Sequence, residues 1–337
     1  MEKLTKASDP KENVEAGSAE SSQYYYYSQA RQLVGSASFS MVLYTAVKLK
    51  LFEIVGQFGK MTAAQIASRL PGYKNPDEGA SMIDRMLLLL SNFSLFTCDV
   101  VEIQCEDGGV KDERVYRLSP IGRFFVPDEE GHTIAHLAEM MLDKVFMDSW
   151  YELGNAVLEG VAPFDRVYGM NQFEYKATDP RFNELFNKGI AGSTSTIMKH
   201  LLHEYKGFEG IQKLVDVGIE HIGGDMFDSV PGGDAIFLKS VLHDWGDDRC
   251  LKLLKNCFKV LPENGKVIVI DPIVTRKPDG SVYSKYVSQM DNLMMTVNPG
   301  GKERSESEFK ALAIGAGFRA LQAQLFAGYI GVLELYK

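Results

Sequence analysis

Three polar residues of this chain stand where strands would end. His243 follows the apolar run 234–242, Asp271 closes the run 266–270, and Glu303 lies in the loop Asn298-Pro299-Gly300-Gly301-Lys302-Glu303-Arg304. In parallel sheets ligands bind beyond the carboxyl ends of the strands. A histidine with two carboxylates near it can act as a general base, because the carboxylates fix its tautomer and stabilise the imidazolium. Singly, each residue has a plainer explanation. A histidine after a strand is more often a hydrogen-bonded loop residue, and Asp271 before Pro272 suits a turn. No metal site is expected, since His132 and His136 have no partnering cysteine or carboxylate cluster at ligand spacing.

A fourth feature concerns what such a base would act with. Leu214-Val215-Asp216-Val217-Gly218 reads as a buried strand entering a glycine turn, the usual opening of a nucleotide-type site. Such a site needs further glycines, a helix whose N-terminus faces the ligand, and an acidic residue on the next strand. Here Ile219-Glu220-His221-Ile222-Gly223-Gly224-Asp225 follows at once. A parallel crossover takes at least about 10–12 residues, usually a helix. The runs 214–217 and 220–222 are therefore expected not to pair as parallel neighbours. Either the first turns tightly into the second, or one of them leaves the sheet.

The elements that must hold these residues alternate. From about Lys213 onward, the runs 234–242 and 266–273 are short, apolar and rich in β-branched residues, the pattern of buried parallel strands. Between them 247–261 is an amphipathic helix, with Cys250, Leu251, Leu254, Cys257 and Phe258 facing inward and Lys252, Lys255 and Lys259 outward. Ser305-Glu306-Ser307-Glu308 is a capping box opening a helix that ends near Gly317. The runs 320–326 and 329–336 alternate about Ala327-Gly328, a terminal antiparallel hairpin. Strands alternating with helices make this an α/β domain with a mostly parallel sheet. Met290, Met294 and Met295 fit either an aromatic substrate's pocket or core filling.

The first half reads as helical across 24–58, with Thr62 as N-cap of a helix 63–70, a polar loop 71–78 and a second helix 81–93. Strand-like runs 95–104 and 114–118 follow. Helix, turn, helix, hairpin is the order of a winged helix. The candidate wing carries Glu106, Asp107, Asp112 and Glu113 against one lysine, which would repel phosphate, so a packing or dimerisation module is the better reading than DNA binding.

At 337 residues the chain has length for two domains. Its 45% hydrophobic and 24% charged residues are ordinary for a globular protein, and a net charge of −9 weighs against a nucleic-acid partner. No run approaches 18 apolar residues, so no membrane span is expected. Residues 1–22 are polar, lack an apolar signal region and are expected to be disordered. Cys98, Cys105, Cys250 and Cys257 form neither CxxC pairs nor a disulfide framework, which suits a reduced, cytoplasmic compartment.

Four motifs occurring in order change the odds for the site. Leu214-Val215-Asp216-Val217-Gly218, Gly223-Gly224-Asp225-Met226-Phe227, Leu242-His243-Asp244-Trp245 and the 298–304 loop together resemble plant S-adenosyl-L-methionine-dependent O-methyltransferases of the caffeic acid and flavonoid type. Ala313-Ile314-Gly315-Ala316-Gly317-Phe318 matches that family's late helix end. Phe173-Glu174-Tyr175 and Asp179-Pro180-Arg181-Phe182-Asn183 resemble its substrate-lining linker. The resemblance covers nearly the whole chain. It implies a Rossmann-like methyltransferase domain over 213–337, a helical linker and substrate-lining region over 126–212, and an N-terminal winged-helix-like dimerisation domain over 23–125. It also implies a homodimer, no metal, no membrane, and methyl transfer from S-adenosyl-L-methionine to a small phenolic substrate. His243 would deprotonate the phenol, flanked by Asp271 and Glu303. Gly218, Asp225, Met226 and Lys239 match cofactor positions. Phe182, Phe186, Met294 and Asn298, with Met140 and Phe146, match substrate-pocket positions.

The chain departs from that family in two places. Asp271 stands where Glu is usual, one methylene shorter. Between Gly218 and Ile219 about 35 residues are absent, enough for the rest of the glycine loop, a helix, a strand ending in the ribose-binding acid, and a second helix at typical element sizes. An impaired chain that serves as the dimerisation partner of a full-length relative is the competing expectation.

Overall fold

The computed structural model describes residues 19–72, 74–104, 109–217, 224–326 and 330–337. The expected disorder of 1–18, the centre of the acidic wing, Gly218, the run 220–222 and the Ala327-Gly328 turn lie outside them. Residues 19–22, expected to be disordered, instead open a helix. The chain divides into two compact units between Leu142 and Asp143, so the segment expected as one linker is split.

The N-terminal unit begins with α1 (Ala19–Val34), α2 (Ser36–Lys48) and α3 (Leu51–Phe58). After β1 (Met61–Thr62), Thr62 caps α4 (Ala63–Ala67) in a reciprocal capping box with Gln65. The next helix, α5 (Pro76–Asn92), starts five residues before the expected Ser81. Pro76 is preset for a first turn, and Asp77 and Glu78 complement the helix dipole there. Then β2 (Phe96–Gln104) and β3 (Val110–Leu118) pair antiparallel, and β1 adds to β3, giving the order β1-β3-β2. Phe52 stacks between Phe96 and Phe125, with ring centroids at 4.9 and 4.7 Å, and Leu51, Ile66, Leu87, Leu90 and Tyr116 close the core around it. A last helix, α6 (Ala135–Met141), returns to this core through Ala135. Just before it, Asp128, Glu130 and His132 bring their ligand-type atoms within 4.8 Å of one another. The expectation that His132 lacks a carboxylate cluster is corrected: the residues from 128 to 132 form a tight turn, and their i, i+2, i+4 spacing gathers the side chains. Two of the three are solvent-exposed.

The second unit opens with short helices: α7 (Lys144–Tyr151), α8 (Leu153–Glu159), α9 (Pro163–Tyr168) and α10 (Gln172–Thr178). The long α11 (Pro180–Glu204) follows, capped by Asp179. Its sheet comprises β4 (Leu214–Val217), β5 (Ala235–Lys239), β6 (Lys266–Ile270), β9 (Ala320–Phe326) and β10 (Ile330–Tyr336). The sheet helices are α12 (Asp247–Val260), α13 (Val282–Val297) and α14 (Glu306–Ala316), and a two-stranded ladder joins β7 (Ile273–Val274) to β8 (Arg304–Ser305). Strand order is β4-β5-β6-β10-β9, parallel from β4 to β6 and antiparallel thereafter. On one face, Cys250, Leu253, Leu254 and Cys257 of α12 and Phe309, Leu312 and Ala313 of α14 cover Ile236, Leu238, Val267 and Val269. On the other, Leu201 and Tyr205 cover Phe237, Ile268 and Ile270. Among the described residues no helix is long and apolar enough to cross a membrane.

Leu214–Val217 is in the sheet, paired in register with Leu214 opposite Ala235 and Val217 opposite Leu238, as one of the alternatives allows. One sequence expectation changes here. The strand expected over 234–242 ends at Lys239, because Ser240 adopts φ 53°, a left-handed conformation uncommon for a residue with a Cβ. Its amide donates to the Ile270 carbonyl at 3.0 Å, and the chain bends into a single 3-10 turn over Leu242–Asp244. That bend delivers His243 to the carboxyl edge of the sheet.

Candidate active site

At the end of β5 the imidazole of His243 lies almost buried. Its Nδ1 stands 2.9 Å from Oε1 of Glu303, and its Nε2 3.7 Å from Oδ1 of Asp244. With Nδ1–H donating to Glu303, Nε2 is the nitrogen left to exchange a proton. Burial works against the charged imidazole, but Asp244, the Glu303 hydrogen bond and Asp271 together carry its pKa from 6.5 up to about 10.

Asp271 lies at the end of β6, fully enclosed. Burial, reinforced by Glu303 and Asp244, pushes its carboxyl up to about 7 against the pull of His243 and Lys239. Neither of its carboxylate oxygens has a hydrogen-bond partner among the described residues. The flanking role expected for both acids is thus unequal: Glu303 holds the ring, and Asp271 contributes charge alone. Gly331 on β10 allows this closeness. A Cβ there would come within 2.2 Å of the Asp271 carbonyl.

The loop after α13 is fastened to the His243 turn. The Lys302 amide donates to the His243 carbonyl at 3.0 Å, and a Cβ on Gly301 would sit 3.0 Å from that same oxygen. Beside Glu303, the guanidinium of Arg304 is completely enclosed. Its Nη1 donates to the Leu242 carbonyl at 2.7 Å, its Nη2 to the Trp245 carbonyl at 2.7 Å, and Nε and Nη2 bind Asp247 Oδ1 at 3.0 and 2.8 Å. One planar fork therefore ties both ends of the histidine turn to the first residue of α12. Sequence reasoning missed Arg304 and Asp244. Asp244 stood next to His243 in the motif, but the sequence carried no sign of Arg304's reach.

The other side of Asp244 is held by a buried amide chain. Asn298 Nδ2 donates to Asp244 Oδ1 at 2.7 Å, and Gln172 Nε2, from the first turn of α10, donates to Asn298 Oδ1 at 2.6 Å. Asn298, expected in the substrate pocket, spends both ends of its amide on the protein, with Met294 Sδ 3.6 Å from Nδ2. Around α10 stands a shell of rings: Phe146, Phe164, Tyr168, Tyr175 and Phe182 meet edge-on or tilted at 4.5 to 6.1 Å. Phe146 and Phe182 are fully buried within it, whereas Phe186 keeps part of its ring accessible. Phe173 stacks on Trp245 at 5.4 Å. Met140 is buried in the N-terminal unit.

Of the residues expected near the cofactor, Lys239 ends β5. Burial lowers its pKa, with Asp271 and Asp216 opposing, and its Nζ lies 3.2 Å from Ser240 Oγ. Asp225 turns its carboxylate back on its own loop, accepting the Phe227 amide at 2.8 Å, and the Met226 carbonyl takes a bond from Asn256. Between β4 and β5 the described residues form no helix, only a turn over 226–228. The six residues 218–223 are too few for a helix, a strand and a second helix.

Comparison with known proteins converges on one group. Residues 31–128 match the model of an O-methyltransferase dimerisation domain, and residues 150–219 and 218–319 match that of the O-methyltransferase domain, in two stretches meeting where β4 ends. Catechol O-methyltransferase 1 of Solanum lycopersicum is 44% identical, with 91% of this chain and 94% of that protein covered. Caffeic acid 3-O-methyltransferase 1 of Populus kitakamiensis is 43% identical, with 91% and 93% covered. The tomato alignment runs over 356 positions, although 91% of this chain is only about 307 residues, so some fifty positions face gaps in this chain. Among solved structures, human N-acetylserotonin methyltransferase in complex with SAM superposes with a TM-score of 0.74 at 18% identity, covering 93% of this chain and 97% of that one. A calicheamicin-biosynthesis methyltransferase in its SAH-bound form gives 0.75 at 19%, covering 95% and 100%.

Proposed function

The chain belongs to the S-adenosyl-L-methionine-dependent O-methyltransferase family that includes the plant caffeic acid and catechol enzymes, and from that premise we propose that it acts on a small phenol with His243 as general base. The observation that carries the assignment is the buried His243–Glu303 hydrogen bond of 2.9 Å at the carboxyl edge of the sheet. Glu303 orients the ring, Asp244 and Asp271 support the imidazolium, and Nε2 receives the phenolic proton. A phenol has a pKa near 10, so a histidine raised to about 10 accepts its proton at little thermodynamic cost. Methylation in line from a sulfonium then needs alignment and exclusion of water, which the aromatic shell around α10 supports. Replacing His243 by Ala should lower turnover by about 10²–10⁴-fold in a methylation assay run at a temperature where circular dichroism shows the variant still folded. Activity within about threefold of the parent would remove His243 from the role.

The methyl donor fits these residues only in part. Lys239 stands at the carboxyl end of β5, and Asp225 and Met226 lie in the segment before that strand, but the helix N-terminus and the acid-bearing strand of a complete site have no room between β4 and β5. We therefore propose weakened donor binding, which favours a second role as dimerisation partner of a full-length relative. Losing the charged hydrogen bond to the ribose costs roughly 1.5–3 kcal/mol, and with the loop and helix also gone the deficit should reach at least about 10²-fold. Calorimetric titration with S-adenosyl-L-methionine tests this directly. Micromolar binding by the chain as it stands would overturn it, and insertion of the missing segment after Gly218 should restore binding and turnover together.

A further inference from the structure

One carboxylate oxygen of the site stands between two nitrogens. Asp244 Oδ1 takes a bond from Asn298 Nδ2 at 2.7 Å, while His243 Nε2 lies 3.7 Å from that same atom, beyond hydrogen-bond distance. A carboxylate oxygen has lone pairs enough for both donors, so position rather than capacity keeps Nε2 out of reach. Closing the gap would take a movement of about one ångström.

The position is set from behind. Asn298 donates to Asp244 only while its amide keeps one orientation, and the bond of 2.6 Å from Gln172 Nε2 to Asn298 Oδ1 fixes that orientation. Gln172 and Asn298 are 3% and 1% exposed, so solvent does not compete for either amide. Among the described residues the Gln172 side chain makes no other hydrogen bond, and its Oε1 is left without a partner. Burying an amide with one end unsatisfied costs free energy, and the single bond it does make is the one that fixes Asn298. Were Asp244 free to swing against Nε2, both ring nitrogens would donate to carboxylates, Nδ1 to Glu303 and Nε2 to Asp244. Such pairing stabilises the imidazolium and leaves neither nitrogen open to a substrate proton.

We propose that the Gln172–Asn298 amide pair is a restraint that holds the Asp244 carboxylate off His243 Nε2, keeping that nitrogen open to the substrate. Gln172 is thereby a positioning residue that acts on the base through two side chains. The proposal rests on the reading of His243 as base given above and adds what keeps that base from being quenched. The other charged and titratable groups facing the pair are Glu303 of the 298–304 loop, Asp271 at the end of β6 and Lys176 of α10. Behind Asp271 and Glu303 stand Lys239 of β5 and Tyr286 of α13. Replacing Gln172 by a neutral residue leaves all of these charges in place.

The test is proton and nitrogen NMR of the imidazole in the full chain without methyl donor, the His243 signals being assigned by their loss in His243→Ala. At neutral pH the parent should show one downfield, hydrogen-bonded ring proton, that of Nδ1 on Glu303. Gln172→Met, which cannot donate, should show a second, from Nε2 on Asp244. Its imidazole pKa should rise by about one unit, the effect of one added charge-assisted hydrogen bond. Asn298→Ala removes the donor itself and should do the same, so the proposal stays testable if the Gln172 variant folds poorly. In an Asp244→Asn background Gln172→Met should move neither reading, because no carboxylate is left to swing. A ring that keeps one downfield proton and an unchanged or lowered pKa in the folded variants overturns the proposal. So does a shift that persists in the Asp244→Asn background. If the signature appears as expected while a chain with the missing segment inserted after Gly218 methylates no phenol, the base reading falls and the restraint stands.

Discussion

The imidazole of His243 lies inside a cluster of three carboxylates, and its protonation state depends on them. Its folded pKa of about 10 lies above the ordinary 6.5, so the neutral, proton-accepting form grows in as pH rises toward about 10. Turnover should accordingly climb from neutral into alkaline pH. Replacing Glu303 by Gln removes a negative charge and leaves a neutral acceptor for Nδ1–H, and so destabilises the imidazolium and lowers that pKa. The acid limb of the kcat/KM profile should move to lower pH by about one unit, with a smaller plateau because the ring is held less firmly. An unmoved limb would mean that Glu303 does not set the proton affinity of the base. The same cluster marks the limit of what the sequence disclosed. His243, Asp271 and Glu303 were legible because each follows an apolar run or lies in a glycine-rich loop. The Gln172–Asn298–Asp244 chain was not, because its first link spans 126 positions and nothing local signals it.

At the level of elements, the His243 turn is a loop made rigid by an arginine. Arg304 holds Leu242 and Trp245 by their carbonyls and Asp247 by its carboxylate, all from full burial. Replacing it with Met would remove its charge-assisted hydrogen bonds to two backbone carbonyls and to the exposed Asp247 carboxylate, each worth about 1.5–3 kcal/mol. The melting temperature should drop by on the order of 10 °C. Arg304→Lys should recover little of it, since an ammonium lacks the planar fork. A Met variant melting with the parent would show that the turn stands without its clamp. Helix and strand boundaries were readable where a local device sets them, as with the Ser305–Glu308 capping box and the facing Cys250 and Cys257 of α12. They were misread where the device is conformational. The apolar run through Leu242 gives no hint that Ser240 turns left-handed, and strand propensity alone carries the strand too far.

For the whole molecule, the N-terminal unit keeps a full core of its own and still leaves Tyr24, Tyr27, Leu33 and Val34 of α1 exposed. Coming from a unit that matches a dimerisation domain over residues 31–128, this apolar helix should be covered by a second copy. Light scattering at micromolar concentration should return twice the chain mass, and a monomer would count equally against the homodimer and against the dimerisation-partner role. The second unit closes in another manner. Its innermost antiparallel strand, β10, pairs with β9 on one side and with β6 on the other, where Val332 faces Ile270. During synthesis β10 emerges after every other described strand of its sheet. Until it arrives, the edge of Val267, Ile268, Val269 and Ile270 stays open, apolar and free to join a neighbouring nascent chain. The N-terminal unit can fold early on the ribosome, while the catalytic unit remains vulnerable to aggregation until its last hairpin docks.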